Sequence, residues 1–111
     1  MMLEHLKALC QLNGISGRED AVQQYIIKQL ETWKLSYQVD PLGNILVEKD
    51  GQKPAKTKLM ISAHMDEVGG IVTYVHEDGT LQFEPVGGIQ PSVVIGRQVT
   101  VGENPGLSAV V

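Results

Sequence analysis

The stretch from Lys58 to Gly70 constrains the fold more than any other part of the chain. A mostly apolar run, Leu59 to Ala63, delivers His64 and Asp66 two positions apart, and Gly69-Gly70 follow. The run is short, partly β-branched and preceded by a polar Lys/Thr stretch, which predicts a buried strand. Side chains alternate faces along a strand, so His64 and Asp66 point the same way. A strand that breaks at His64 puts both groups at its carboxyl end, where open α/β sheets place ligands and chemistry. An imidazole beside a carboxylate has two chemical uses. His64 binds a metal through one ring nitrogen while a carboxylate holds the other N–H, or Asp66 polarises a catalytic base. A satisfied strand end, with backbone and water as partners, stands beside both readings, because a bare His-x-Asp motif is short and common.

The 111 residues suffice for one small domain with a modest core. Hydrophobic residues make up 42% and charged residues 20%, the balance of a globular chain rather than a disordered tail. The formal net charge is -4 and no Lys/Arg cluster occurs, which argues against nucleic acid and acidic membrane surfaces as partners. Cys10 is the sole cysteine, so no internal disulfide forms, in keeping with a cytoplasmic location. No signal peptide is read at the N-terminus, and no apolar run approaches the ~20 residues that span a bilayer.

Leu3, Leu6, Leu9 and Leu12 fall on one helical face, and Asn13-Gly14 ends that helix. His5 is expected on the polar side in solvent, and Cys10 as a half-buried residue. Ser16-Gly17-Arg18-Glu19 reads as a capping box. It opens a second helix to about Lys34, with Val22, Tyr25, Ile26, Leu30 and Trp33 as its apolar face. Strands are expected at Leu35 to Val39 and Ile45 to Glu48, joined by a turn at Asp40-Pro41-Leu42-Gly43-Asn44. Gln52 to Lys56 is a polar connection. Helices, a hairpin and a buried strand together predict an α/β mixed sheet.

After Gly70 the texture changes. Residues 71–75 and 80–84 predict a β-hairpin around His76-Glu77-Asp78-Gly79, with His76 solvated at its tip. Val93 to Ile95 and Gln98 to Val101 are expected as short strands, and Pro85 to Pro91 as a glycine-rich loop. Gly102 to Gly106 is a turn before an apolar strand from Leu107 to Val111. Closely spaced short strands predict a β barrel or sandwich module, with a boundary near residues 68–70. The apolar last strand and the thin α/β portion predict the front part of a longer protein.

Taken in order, these stretches resemble the N-terminal third of the glutamyl/deblocking aminopeptidases, dinuclear metallopeptidases that build tetrahedral shells. The resemblance is carried by Leu12 to Glu19, by Asp40-Pro41-Leu42-Gly43-Asn44 and by Ala63-His64-Met65-Asp66-Glu67-Val68-Gly69. Val86-Gly87-Gly88-Ile89, Gly96-Arg97-Gln98-Val99 and Gly106 to Val111 extend it to the end. It implies that residues 1–68 are the front of a metallopeptidase catalytic α/β domain. Residues 69–111 would be the first strands of an inserted β-barrel-like dimerisation domain. It implies His64 as a ligand of one of two divalent metal ions, zinc or cobalt, and Asp66 as the catalytic carboxylate supporting that histidine. The implied reaction removes the N-terminal residue of a peptide substrate with a metal-activated water, in a homo-oligomer.

The remaining ligands and the general base of such a site have no counterpart in these residues. A catalytic metal takes about three protein ligands, so His64 and Asp66 are expected as a half-site that is inactive in the 111-residue chain alone. Glu67 is a poor substitute base, since it faces away from Asp66 if the strand continues. Two other classes remain: a non-catalytic self-association module, and a glycan hydrolase, which would need two facing carboxylates.

Overall fold

The structure is a computed structural model that describes residues 2–53, 56–103 and 105–111. Pro54 and Ala55 of the expected polar connection, and Asn104 of the expected turn before Leu107, lie outside the described residues, as does Met1. The chain is α/β, with helices α1 (Met2–Leu9), α2 (Asp20–Thr32) and the single turn α3 (Pro91–Val94). Its strands are β1 (Gln38–Val39), β2 (Ile45–Leu46), β3 (Gly69–Val75), β4 (Leu81–Val86), β5 (Gln98–Val101) and β6 (Leu107–Val110). They form two-stranded antiparallel sheets, β1-β2, β3-β4 and β5-β6, rather than the mixed sheet expected from the sequence. Residues 1–12 and 19–65 form one unit, and residues 13–18 and 66–111 a second.

In the first unit, α1 follows the leucine spacing but closes earlier than Leu12. The amides of Gln11 and Leu12 bond three residues back, to Ala8 (3.2 Å) and Leu9 (3.2 Å), which tightens the end of the helix. Cys10 is exposed rather than half-buried. His5 is not in open solvent: its Nδ1 lies 2.8 Å from the Tyr25 hydroxyl, and its ring meets Tyr25 and Trp33 edge-on at 6.1 and 5.9 Å. One turn of α1 thus docks its histidine between two aromatics of the α2 region, a contact no helical spacing within α1 foretells.

The inward residues of α2 are Val22 and Leu30, each 7% exposed, and they are the buried hydrophobic side chains among the described residues. Trp33, expected to pack, is 57% exposed. The helix ends in a Schellman arrangement: Leu35 N–H donates to Leu30 O (2.9 Å), and Lys34 N–H to Glu31 O (3.0 Å). Lys34 takes the left-handed position, φ 56°, that the motif requires. The N-terminus departs from the expected capping box. Glu19, not Ser16, is the N-cap, and its side chain makes no cap hydrogen bond.

The β1-β2 hairpin turns as the Asp-Pro-Leu-Gly-Asn sequence demands. Asp40 Oδ1 accepts from the amides of Leu42 and Asn44, both at 2.9 Å, and Oδ2 accepts from Asn44 Nδ2 at 2.8 Å. Gly43 supplies a φ of +87° that a side chain would oppose. Gln23 Nε2 donates to Gly43 O at 2.8 Å, which ties this turn to α2.

The predicted buried strand at Leu59 to Ala63 is not formed. Residues 58–66 carry no strand, and Leu59, Met60 and Ile61 are 88%, 85% and 88% exposed. A central strand is made by its neighbours: it needs ladders on both edges and cover on both faces. Among the described residues β1 and β2 form a sheet of two strands, so the run has the composition of a core strand without, among them, the ladder partners that create one.

In the second unit, β3 and β4 pair from Gly69↔Val86 to Val75↔Leu81, with an irregularity between Val72 and Tyr74. The expected hairpin is present, and β4 runs through Pro85 to Val86. His76 is half-buried rather than solvated, its ring 4.8 Å from that of Tyr74. Val93 to Ile95 was expected as a strand, but Pro91 to Val94 is a helical turn. Proline at the first helical position needs no amide partner and presets φ, which outweighs the β-branched pair after it. β5 and β6 pair from Gln98↔Val110 to Val101↔Leu107, so the last apolar strand has a partner. Arg97 O accepts from Val111 N–H (3.1 Å) and Gly96 N–H donates to Val111 O (2.7 Å), which extends the ladder to the end of the sequence.

Candidate functional site

Asp66 opens the second stretch of the second unit, and a short parallel join to residues 14–16 holds it there. Ile15 and Glu67 form a parallel β-bridge. Glu67 N–H donates to Gly14 O at 2.7 Å, and Gly14 N–H returns to Glu67 Oε1 at 3.2 Å. Gly14 is buried, so both of its backbone polar groups need partners, and Glu67 serves both. Ser16 Oγ, one step along the join, donates to Asp66 Oδ2. The serine expected to cap α2 therefore serves the carboxylate of the His-x-Asp motif, fifty positions away.

Glycine is what allows the join to close. A Cβ at Gly69 would stand 2.8 Å from Ile15 Cδ1 and 3.1 Å from Ile15 Cγ1. At Gly70 it would stand 2.7 Å from Phe83 Cδ2. The Gly69-Gly70 pair lets β3 start directly beneath Ile15 and Phe83, so Asp66 is anchored three residues ahead of a hairpin. That hairpin end also forms one wall of an apolar hollow of about 580 Å³, lined by Val68, Phe83, Ile89, Val93 and Val99 among others.

His64 belongs to the first unit, in the exposed stretch that lacks strand structure. Its side chain is exposed and Asp66 is half-buried. Among the described residues no group of three or more His, Cys, Asp or Glu side chains is placed to hold a metal ion. The donor chemistry of His64 and Asp66 suits a divalent metal, but these residues do not make a whole site. Sequence reasoning missed Ser16 and Gly14 here. The signal was present in Gly14-Ile15-Ser16-Gly17, a β-branched residue between two small flexible ones. The capping-box pattern masked it.

Comparison with known proteins bears on the same residues. The model of the M42 glutamyl aminopeptidase family matches residues 43–111. The glutamyl aminopeptidase of Lactococcus lactis is 34% identical over 100 residues, which is 90% of this chain and 28% of that protein. The Pyrococcus horikoshii TET1 peptidase, which assembles into a tetrahedron or a large octahedral shell, superposes with a TM-score of 0.80. Its sequence identity is 36%, over 96% of this chain and 31% of that one. A Thermotoga maritima protein described as an endoglucanase superposes with a TM-score of 0.74 at 39% identity, over 84% of this chain and 30% of that one. The chain thus spans less than a third of the length of each of these proteins. With a family match over most of its length, which takes in the His64-x-Asp66 stretch and the hairpins after it, the chain belongs to the M42 glutamyl aminopeptidase family.

Proposed function

We propose that this chain carries the front half of a metal-dependent aminopeptidase site, and that the protein it serves removes N-terminal residues from peptides. The observation that carries the reading is His64-x-Asp66, with its aspartate anchored by residues 14–16, in a chain of this family. In this reading His64 is a metal ligand and Asp66 the carboxylate that supports it. The site holds two divalent ions, zinc or cobalt, and the remaining ligands and general base come from residues outside this sequence. The described residues alone do not complete a metal site.

The rest of the reading follows the same family. Residues 1–68 act as part of the catalytic α/β domain, and residues 69–111 as the first strands of an inserted, barrel-like dimerisation domain. The assembly is a homo-oligomer, and the cytoplasm is its compartment, in keeping with the free thiol of Cys10. No helix among the described residues is long and apolar enough to cross a membrane.

A second reading, a self-association module without chemistry, is favoured by the exposed apolar run at Leu59 to Ile61. Metal content and activity separate the two. Native mass, bound metal and aminopeptidase activity are measured on one undenatured sample, with His64→Ala as the variant. The enzyme reading expects metal and peptide hydrolysis that both fall with His64→Ala, and unchanged metal and activity in that variant would sink it. Glycoside hydrolysis needs two facing carboxylates, whereas Asp66 and Glu67 are engaged by Ser16 and Gly14.

A further inference from the structure

We propose that Ser16 is a positioning residue for the reaction: its hydroxyl fixes the direction in which Asp66 presents its carboxylate. The proposal rests on the aminopeptidase reading above and adds to it a role for Ser16 toward Asp66.

The geometry is built from both sides. On one side, Ser16 lies in a segment clamped by backbone bonds: Glu67 N–H to Gly14 O at 2.7 Å, and Arg18 N–H to Ile15 O at 2.8 Å. The parallel Ile15↔Glu67 bridge holds the two segments side by side, and the Ser16 hydroxyl reaches diagonally across that pair to Asp66, one residue before Glu67. On the other side, Asp66 is followed by Glu67, whose carboxylate returns to Gly14 N–H, and by Gly69, which admits Ile15 against the backbone. Neither residue can swing away without breaking the join. The Ser16 hydroxyl donates to Oδ2. An aspartate has two torsions, and the terminal one is broad and roughly two-fold. A hydroxyl held on one oxygen constrains both: it selects the first-torsion rotamer that brings Oδ2 to Ser16, and it narrows the terminal torsion, so that Oδ1 points one way. A carboxylate that must support another group gains from this. Outer partners of site residues typically contribute 10- to 100-fold to affinity or activity. The hydroxyl is also a better donor here than a cation would be, because it orients the carboxylate without neutralising it.

The structure gives the N-cap position of α2 to Glu19 rather than to Ser16. Ser16→Ala should therefore act on Asp66 and spare α2.

The test has two arms. In the 111-residue chain, the Asp66 side-chain rotamer is read by NMR scalar couplings in wild type, Ser16→Ala and Ser16→Thr. The expected result is one rotamer in wild type and Ser16→Thr, and averaging in Ser16→Ala, with the Glu67 and Gly14 amides equally protected in all three. In the metal-loaded peptidase that contains these residues, Ser16→Ala should lower kcat about 10- to 100-fold with little change in KM. Ser16→Thr, which keeps the hydroxyl, should restore kcat to within about threefold of wild type, a rescue that a purely structural role would not produce. An unchanged Asp66 rotamer, or an active wild type whose kcat survives Ser16→Ala, overturns the proposal and leaves the aminopeptidase reading standing. A metal-free, inactive wild-type assembly overturns that reading instead, and with it any catalytic role for Ser16.

Discussion

Gly87 and Gly88 are adjacent, and the structure assigns them opposite tolerance to a methyl group. Gly87 follows β4 directly, with a φ of +86°. A Cβ there would stand 2.8 Å from Val68 Cγ1, 3.4 Å from Val68 Cβ and 3.6 Å from Val68 Cα. Gly88 has no left-handed φ, and a Cβ on it would meet nothing within 4 Å. Alanine at Gly87 therefore carries two penalties. The left-handed conformation costs an L-residue about 1–2 kcal/mol. Forcing Val68 aside costs about 1 kcal/mol, the low end of the overpacking range, because Val68 is exposed and can yield. The sum is about 2–3 kcal/mol, equivalent to about a 30- to 150-fold rise in local opening. The cost falls where β3 and β4 begin to pair, Gly69↔Val86, and on the turn in which Ile89 N–H donates to Gly87 O at 3.1 Å. Amide hydrogen exchange reports such local opening residue by residue. Gly87→Ala should accelerate exchange at Gly69, Val86 and Ile89 by that factor and leave the β5-β6 amides unchanged. Gly88→Ala should leave all of them within about threefold, or slow them slightly, since it restricts only the unfolded chain. Equal exchange in the two variants would refute the assignment of left-handed strain and Val68 contact to Gly87.

Further outcomes follow from the charged turns. The Asn44 side chain, and the amides of Asn44, Leu42 and Gly43, hold the Asp40 carboxyl below its ordinary range. Its contribution to the β1-β2 hairpin is therefore present above the ordinary carboxylate pKa and lost as pH falls through the lowered value. Protection of the Asn44 amide should decline in that acid window, and Asp40→Ala should abolish the dependence. The amide and then the hydroxyl of Thr80 hold Asp78 low, so Thr80→Val should move its carbon-detected NMR titration upward, and an unmoved titration would contradict the turn geometry. Desolvation, and then the Glu31 carboxylate that accepts from its hydroxyl at 3.2 Å, raise the Tyr37 pKa. Glu31→Gln should bring phenolate absorbance in at lower pH, and an unchanged titration would remove Glu31 as a cause.

Local rules made much of this chain legible. The leucine spacing of α1, the α2 face around Val22 and Leu30, the Asp40 to Asn44 turn and the β3-β4 hairpin each depend on interactions within a few residues, so their sequences suffice. The β-branched Val93-Val94 pair misled because Pro91 controls the backbone there. His64 and Asp66 stand out as candidates because two ionisable groups at the end of an apolar run are conspicuous in composition alone. Long-range partnership was not readable. Ser16 carries the same residues whether it caps a helix or serves Asp66, and only the parallel join of Ile15 to Glu67 selects the second. His5 likewise looks like a surface histidine until Tyr25 and Trp33 are brought against it. The run Leu59 to Ile61 makes the same point in reverse. Its composition determines that it can be a core strand, but burial and pairing belong to neighbours, and without them the same residues lie exposed.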